Sequence, residues 1–97
     1  MTTIGTHMTT IGRDEETNAI SVRYHHTNVV QFNGSTVTLD HGGWLTHTTR
    51  RRMNQASEQF NLGFRIRQKN YDWFITTKSG TVLPWGTDRT ITFDIND

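Results

Sequence analysis

The sequence predicts a small α+β domain, a mostly antiparallel β-sheet of about five or six strands with one amphipathic helix over residues 48–61 packed on one face. Three observations carry this. Apolar and polar residues alternate through Ile20-Val22-Tyr24, Val30-Phe32, Val37-Leu39 and Ile91-Phe93-Ile95, the period of strands buried on one side. Between them the period changes, and Thr49, Met53, Ala56 and Phe60 fall on one helical stripe. Finally, 97 residues of which 32% are hydrophobic are enough for one core and too few for two.

The elements follow in order. Residues 1–5, MTTIG, recur word for word at residues 8–12, a repeat too short to be an architectural unit. Neither copy has an apolar face, so residues 1–17 are expected to form a mobile N-terminal segment and residues 18–97 the domain. Met8 is a second potential start. Asn33-Gly34 tolerates positive φ and predicts a hairpin between the second and third strands of this half. Asp40-His41-Gly42-Gly43 breaks the strand, its glycines allowing another segment to approach closely. Thr48 or Thr49 is expected to cap the helix and Leu62-Gly63 to end it. Residues 64–68 and 71–75 then flank Lys69-Asn70 as a hairpin, which by arithmetic places Arg67 opposite Asp72 and Ile66 opposite Trp73. Val82-Leu83 is a short strand stopped by Pro84.

Composition excludes several classes. The longest apolar run, Trp73-Phe74-Ile75, is three residues, far short of the about 20 that a spanning helix needs. With no cysteine there are no disulfides, thiolate metal sites or thiol nucleophiles, which fits a reducing compartment. His25 and His26 are neighbours on an expected strand and point to opposite faces; His41 and His47 have no carboxylate at a typical spacing. No metal or other cofactor is therefore expected. None of the serines sits in a nucleophile elbow, and no phosphate-binding glycine loop of standard spacing occurs, so an enzyme is not expected.

Charge is more informative. The net charge is only +1, yet residues 41–70 hold six of the ten cations, Arg50, Arg51, Arg52, Arg65, Arg67 and Lys69, against the single acid Glu58. Three arginines at a helix start oppose the local dipole, so folding gains nothing from them there. Arginine's planar fork suits bidentate contact with phosphate or carboxylate, which makes Arg50, Arg51 and Arg52 the leading candidate contact. The plain alternative is that they fan around the helix and cover the sheet with their aliphatic stems. For Arg65, Arg67, Lys69 and Phe74, a stacking platform for bases competes with ordinary cross-strand pairing of Arg67 and Asp72. Trp73 has a core role beside Ile66. Trp44 and Trp85 follow glycine and proline and are expected to close the core, with Trp44 also a candidate partner anchor.

The stretch Val37–Thr46, continued by Thr48-Thr49, Arg52-Met53-Asn54 and Gln68–Phe74, resembles small proteins of tailed bacteriophages and prophages. The likeness runs from about Tyr24 to Trp85 and centres on Gly42-Gly43-Trp44. It implies a phage product acting in the host bacterial cytoplasm, without catalytic residues to carry over. Such products often inhibit host machinery, so the leading expectation is a non-enzymatic inhibitor of a host protein or nucleoprotein, with CRISPR–Cas interference the first target class. Its partner-binding residues would be Arg50, Arg51, Arg52, Arg65, Arg67, Lys69 and Trp44. Direct nucleic-acid binding and a virion or assembly role are the alternatives.

Overall fold

A computed structural model describes residues 9–97. Strands β1 (Thr9–Arg13), β2 (Ile20–Tyr24), β3 (Thr27–Asn33) and β4 (Thr36–Asp40) lead into helix α1 (His47–Gln59); β5 (Arg65–Lys69), β6 (Asp72–Thr76), β7 (Val82–Pro84) and β8 (Thr90–Asp94) follow. All pairings are antiparallel. The α+β class and the single helix are as the sequence predicts, but the eight strands divide into two sheets, β1-β2-β3-β4-β8 and β5-β6-β7. The division has a sequence cause: α1 interrupts the meander, and β8 returns to pair with β4 while β5 and β6 pair locally.

Part of the segment expected to be mobile is in fact β1, whose Thr9-Thr10-Ile11-Gly12 are the last four residues of the second copy of the repeat and pair with β2. The first copy, Met1–Gly5, lies outside the described residues. The edge strand is fastened by the helix: Arg52 is only 8% exposed, its Nε donates to Thr9 Oγ1 at 3.2 Å, and its guanidinium lies 5.7 Å from the Tyr24 ring centroid.

One core joins both sheets and the helix. Val22, Val29, Val30, Val37 and Leu39 from the large sheet meet Met53 and Ala56 of α1 and Phe64, Ile66, Trp73 and Ile75 of the small one. Adjacent Val29 and Val30 are both buried because the β2–β3 register shifts between Val22 and Arg23, so strict alternation lapses there. Gly42, at φ +61°, passes so close to the Thr27 side chain that a Cβ would sit 2.4 Å from Oγ1, the close approach that the glycine pair predicts.

The helix ends differ from expectation by a few residues. Thr46 is the N-cap, accepting the Thr49 N–H at 3.2 Å, while Thr49 itself is fully buried on the core stripe. At the other end Asn61, at φ +55°, does the work expected of Gly63: its N–H bonds the Glu58 carbonyl and that of Leu62 the Ser57 carbonyl, which satisfies two orphan acceptors.

The helix also closes the β5 edge. Asn54 Oδ1 accepts the Ile66 N–H at 2.7 Å and Nδ2 donates to the Ile66 carbonyl at 3.1 Å, so one side chain imitates a neighbouring strand. Ser57 Oγ donates to the Phe64 carbonyl at 2.7 Å. At the far side of the large sheet, Arg89 clamps Asp40 through Nε–Oδ1 at 2.7 Å and Nη2–Oδ2 at 2.9 Å. This bidentate bond, helped by the Gly42 N–H and opposed by partial burial, holds the Asp40 carboxyl below its ordinary pKa.

Three outcomes follow. Asn54→Ala removes both bonds to the Ile66 backbone and should cost about 1–3 kcal/mol in urea unfolding; Asn54→Asp, which sets a carboxylate against the Ile66 carbonyl, should cost at least as much. Arg52→Met keeps the stem but loses the bond to Thr9, so hydrogen exchange should quicken in β1 with little change in β4. Because Asp40 has a lowered folded pKa, its ion pair stabilises above the ordinary carboxylate value and is lost as pH falls through the folded one. Asp40→Asn should therefore lower stability by about 0.5–1 kcal/mol at pH 7 and by less at pH 3, read from thermal melts.

Candidate basic interface

The cations gathered by sequence near α1 do not act as one cluster. A helix turns about 100° per residue, so consecutive arginines leave on different sides. Arg52 turns inward against Tyr24 and Thr9, and it also donates to Gln55 Oε1 at 3.1 Å; it is a structural residue and drops out of the candidate contact. Arg50 lies across Trp73, 5.7 Å from the ring centroid, and its Nε is the buried side-chain polar atom left without a hydrogen-bond partner among the described residues. Arg51 is exposed.

Arg50 and Arg51 nevertheless meet Arg65 across the seam between α1 and β5. With His47, Asn54, Gln55 and Glu58 they line a groove of about 400 Å³. The seam exists because Asn54 holds the helix against β5, bringing the first turns of α1 beside a strand whose outward side chains are cationic. No acid lies in the first helical turn, so positive side chains and free backbone N–H groups reinforce one another there.

The remaining candidates sit on the outer face of the small sheet. Ile66, Trp73 and Ile75 point into the core, so Arg65, Arg67 and Lys69 point outward and are all exposed. Here the structure moves the predicted loop by one residue and so shifts each cross-strand partner by two. The β5–β6 loop is Asn70-Tyr71, both at positive φ, and Lys69 stands opposite Asp72, Gln68 opposite Trp73 and Arg67 opposite Phe74. Local twist decided this: a two-residue hairpin turn needs two positive φ values, and the shifted loop supplies them even though the second falls on an aromatic residue. Arg67 therefore does not face Asp72. The cross-strand row is Arg67, Phe74 and Pro84.

Tyr71 is unusual twice over. It is 91% exposed, and its φ of +68° is one that residues with a Cβ seldom adopt, at a cost of order 1–2 kcal/mol. Sequence reasoning passed over it, although the Asn-Tyr pair at a hairpin tip was the available signal. Tyr71 and Leu45 rim a hollow of about 300 Å³ floored by His41, Trp73 and Trp85. Trp73 and Trp85 pack edge to face at 5.6 Å, and Trp85 closes the core as expected, its indole donating to the Asp88 carbonyl at 2.8 Å.

Trp44 does not close the core. It is 56% exposed and stacks on His25 at 6.1 Å, and it lines neither hollow. His25 and His26 form the β2–β3 turn rather than lying on a strand, because Tyr24 pairs with Thr27 around them. His41 is buried with its Nδ1 accepting the Gly43 N–H at 3.0 Å, while His47 faces the basic groove. Among the described residues no three of the histidines and carboxylates gather as a metal site would require, and no helix is long and apolar enough to cross a membrane.

Around the groove and the outer face, Arg51, Arg65, Arg67 and Lys69 thus form a cationic surface. None of them makes an ion pair with a carboxylate among the described residues, in contrast to Arg89. Such a surface can hold phosphates or carboxylates by charge-assisted hydrogen bonds.

No curated protein and no solved structure matches the chain. The model of one family does, the Kyanoviridae Gp96 protein, over residues 2–92, which takes in all of the fold up to the middle of β8. That coverage places the chain in a phage protein family: it belongs to the Kyanoviridae Gp96 family.

Proposed function

We propose that the protein is a non-enzymatic binding protein with which a phage occupies a component of its host's machinery, in the host cytoplasm, and that the α1–β5 groove with the adjoining β5 face is the contact. The observation that carries this is the juxtaposition of Arg51 and Arg65, exposed and without a carboxylate partner among the described residues, across a groove that also takes Arg50 and His47. Membership of a phage family supports a host-directed role. A cationic groove selects an acidic protein surface or a nucleoprotein, and CRISPR–Cas effector complexes, which combine the two, are the target class to examine first.

The contact does not include Arg52, which is committed to the fold, and Trp44 stands outside the groove. Arg50 borders the groove with its guanidinium held on Trp73 and its Nε buried.

Immobilised protein should capture a defined complex from a cyanobacterial host lysate, identified by mass spectrometry. Replacing Arg51 and Arg65 together by Glu should reduce that capture by about tenfold or more with an unchanged melting temperature, since both side chains are exposed. Capture that survives the double substitution sinks the groove as the contact. A plasmid-interference assay in a CRISPR-competent strain expressing the protein decides the target class: interference should fall with the native chain and recover with the double variant.

A further inference from the structure

We infer that the groove and the β5 face bind single-stranded nucleic acid, its phosphates on Arg51, Arg65, Arg67 and Lys69 and a base stacked on Phe74; this rests on the groove being the contact proposed above. Three features of the face carry it. Arg65, Arg67 and Lys69 are alternate residues on one strand, so their cationic side chains leave the same face at intervals of about 6.6 Å, close to the separation of successive phosphates on an extended single strand. Phe74 lies directly opposite Arg67, with Pro84 beyond it, which sets a flat apolar surface beside the middle cation of the row. The row continues without a break into the groove, because Arg65 belongs to both.

The alternative use of these residues, an ion pair between Arg67 and Asp72 that would consume the central charge, is removed by the strand register. Asp72 shares the outer face but stands opposite Lys69, at the hairpin end, and makes no ion pair with it. It opposes an approaching phosphate there, which gives a test of opposite sign. An extended single strand is favoured over a duplex because the surface is one strand wide, and a base inside a duplex does not offer its face to Phe74. A sequence-tolerant mode is expected, with charge following the backbone and an aromatic ring accepting any base.

The experiment is fluorescence anisotropy of a labelled fifteen-nucleotide oligothymidylate against the full chain from 25 to 300 mM salt, with a fifteen-base-pair duplex as comparison. With four cations engaged, log affinity should fall against log salt with a slope of about −2 to −3, from about −0.7 for each phosphate neutralised on a single strand. Arg67→Glu should weaken binding about tenfold or more and flatten the slope. Phe74→Leu, which keeps apolar volume in a half-buried position, should weaken binding about tenfold with the slope unchanged. Asp72→Asn should tighten binding by about twofold to threefold. Arg23→Glu, on β2 and exposed, should change nothing.

Equal affinity for the duplex, or an oligothymidylate affinity indifferent to Phe74→Leu in a variant that melts normally, overturns the stacked single-strand mode. No binding at 25 mM salt by a chain that still captures a host complex through Arg51 and Arg65 overturns this inference and leaves the groove contact standing, with a protein as its partner. Failure of both measurements overturns both.

Discussion

The two bonds from Asn54 to the backbone of Ile66 are the constraint on which the rest of the molecule depends. The β5 edge of the three-stranded sheet would otherwise present unpaired N–H and C=O groups to any passing strand. Asn54 satisfies one such pair and Ser57 a further carbonyl, so the helix is positioned against the strand by hydrogen bonds as well as by burial. The same helix places Met53 and Ala56 between the sheets, where a single core includes both. Edge protection and sheet assembly are thus one event. The cationic groove is its by-product, since the seam that Asn54 closes on the inside is bordered on the outside by Arg51 and Arg65.

That arrangement divides three adjacent arginines among three roles. Arg52 is spent on the fold, binding the edge strand β1 and covering Tyr24. Arg50 is intermediate, lying on Trp73 while keeping a buried donor unpaired. Arg51 alone has no structural duty visible among the described residues. The contrast with Arg89 is useful: it too is exposed, but Asp40 claims both arms of its guanidinium. A basic side chain that folding leaves unengaged is more informative about binding than a basic composition, and by that measure Arg51, Arg65, Arg67 and Lys69 outrank Arg52 and Arg89.

The hairpin shows how a one-residue move of the loop, which shifts every partner by two, changes chemistry. With Lys69-Asn70 as the loop, Arg67 would meet Asp72 and the central charge of the outer face would be matched. With Asn70-Tyr71 as the loop, Arg67 meets Phe74, and the charge on β5 is left facing outward. Inward and outward residues are the same in both cases, because partners shift by two residues and an even step keeps Phe64, Ile66, Trp73 and Ile75 on the buried face. Patterning therefore protects the core from the ambiguity and leaves the surface exposed to it. The step is taken at the expense of a left-handed tyrosine that is almost wholly in water.

Periodicity by itself determined the α+β class, the positions of most strands, the helix and its buried stripe, and the membership of the core, because burying apolar area is a collective preference that tolerates local error. It also located the basic middle of the chain. What only the tertiary structure decided were the quantities set by contacts between distant segments: the split into two sheets, the recruitment of Thr9–Arg13 as an edge strand, and the pairing register of β5 and β6. The fate of each arginine belongs with these. Arg50, Arg51 and Arg52 are chemically identical and adjacent, and their neighbours in sequence do not say which will meet an indole, which a threonine forty-three residues away and which only water. Those outcomes depend on where a helix lies against its sheets, and that is fixed by the whole core at once rather than by any local run of residues.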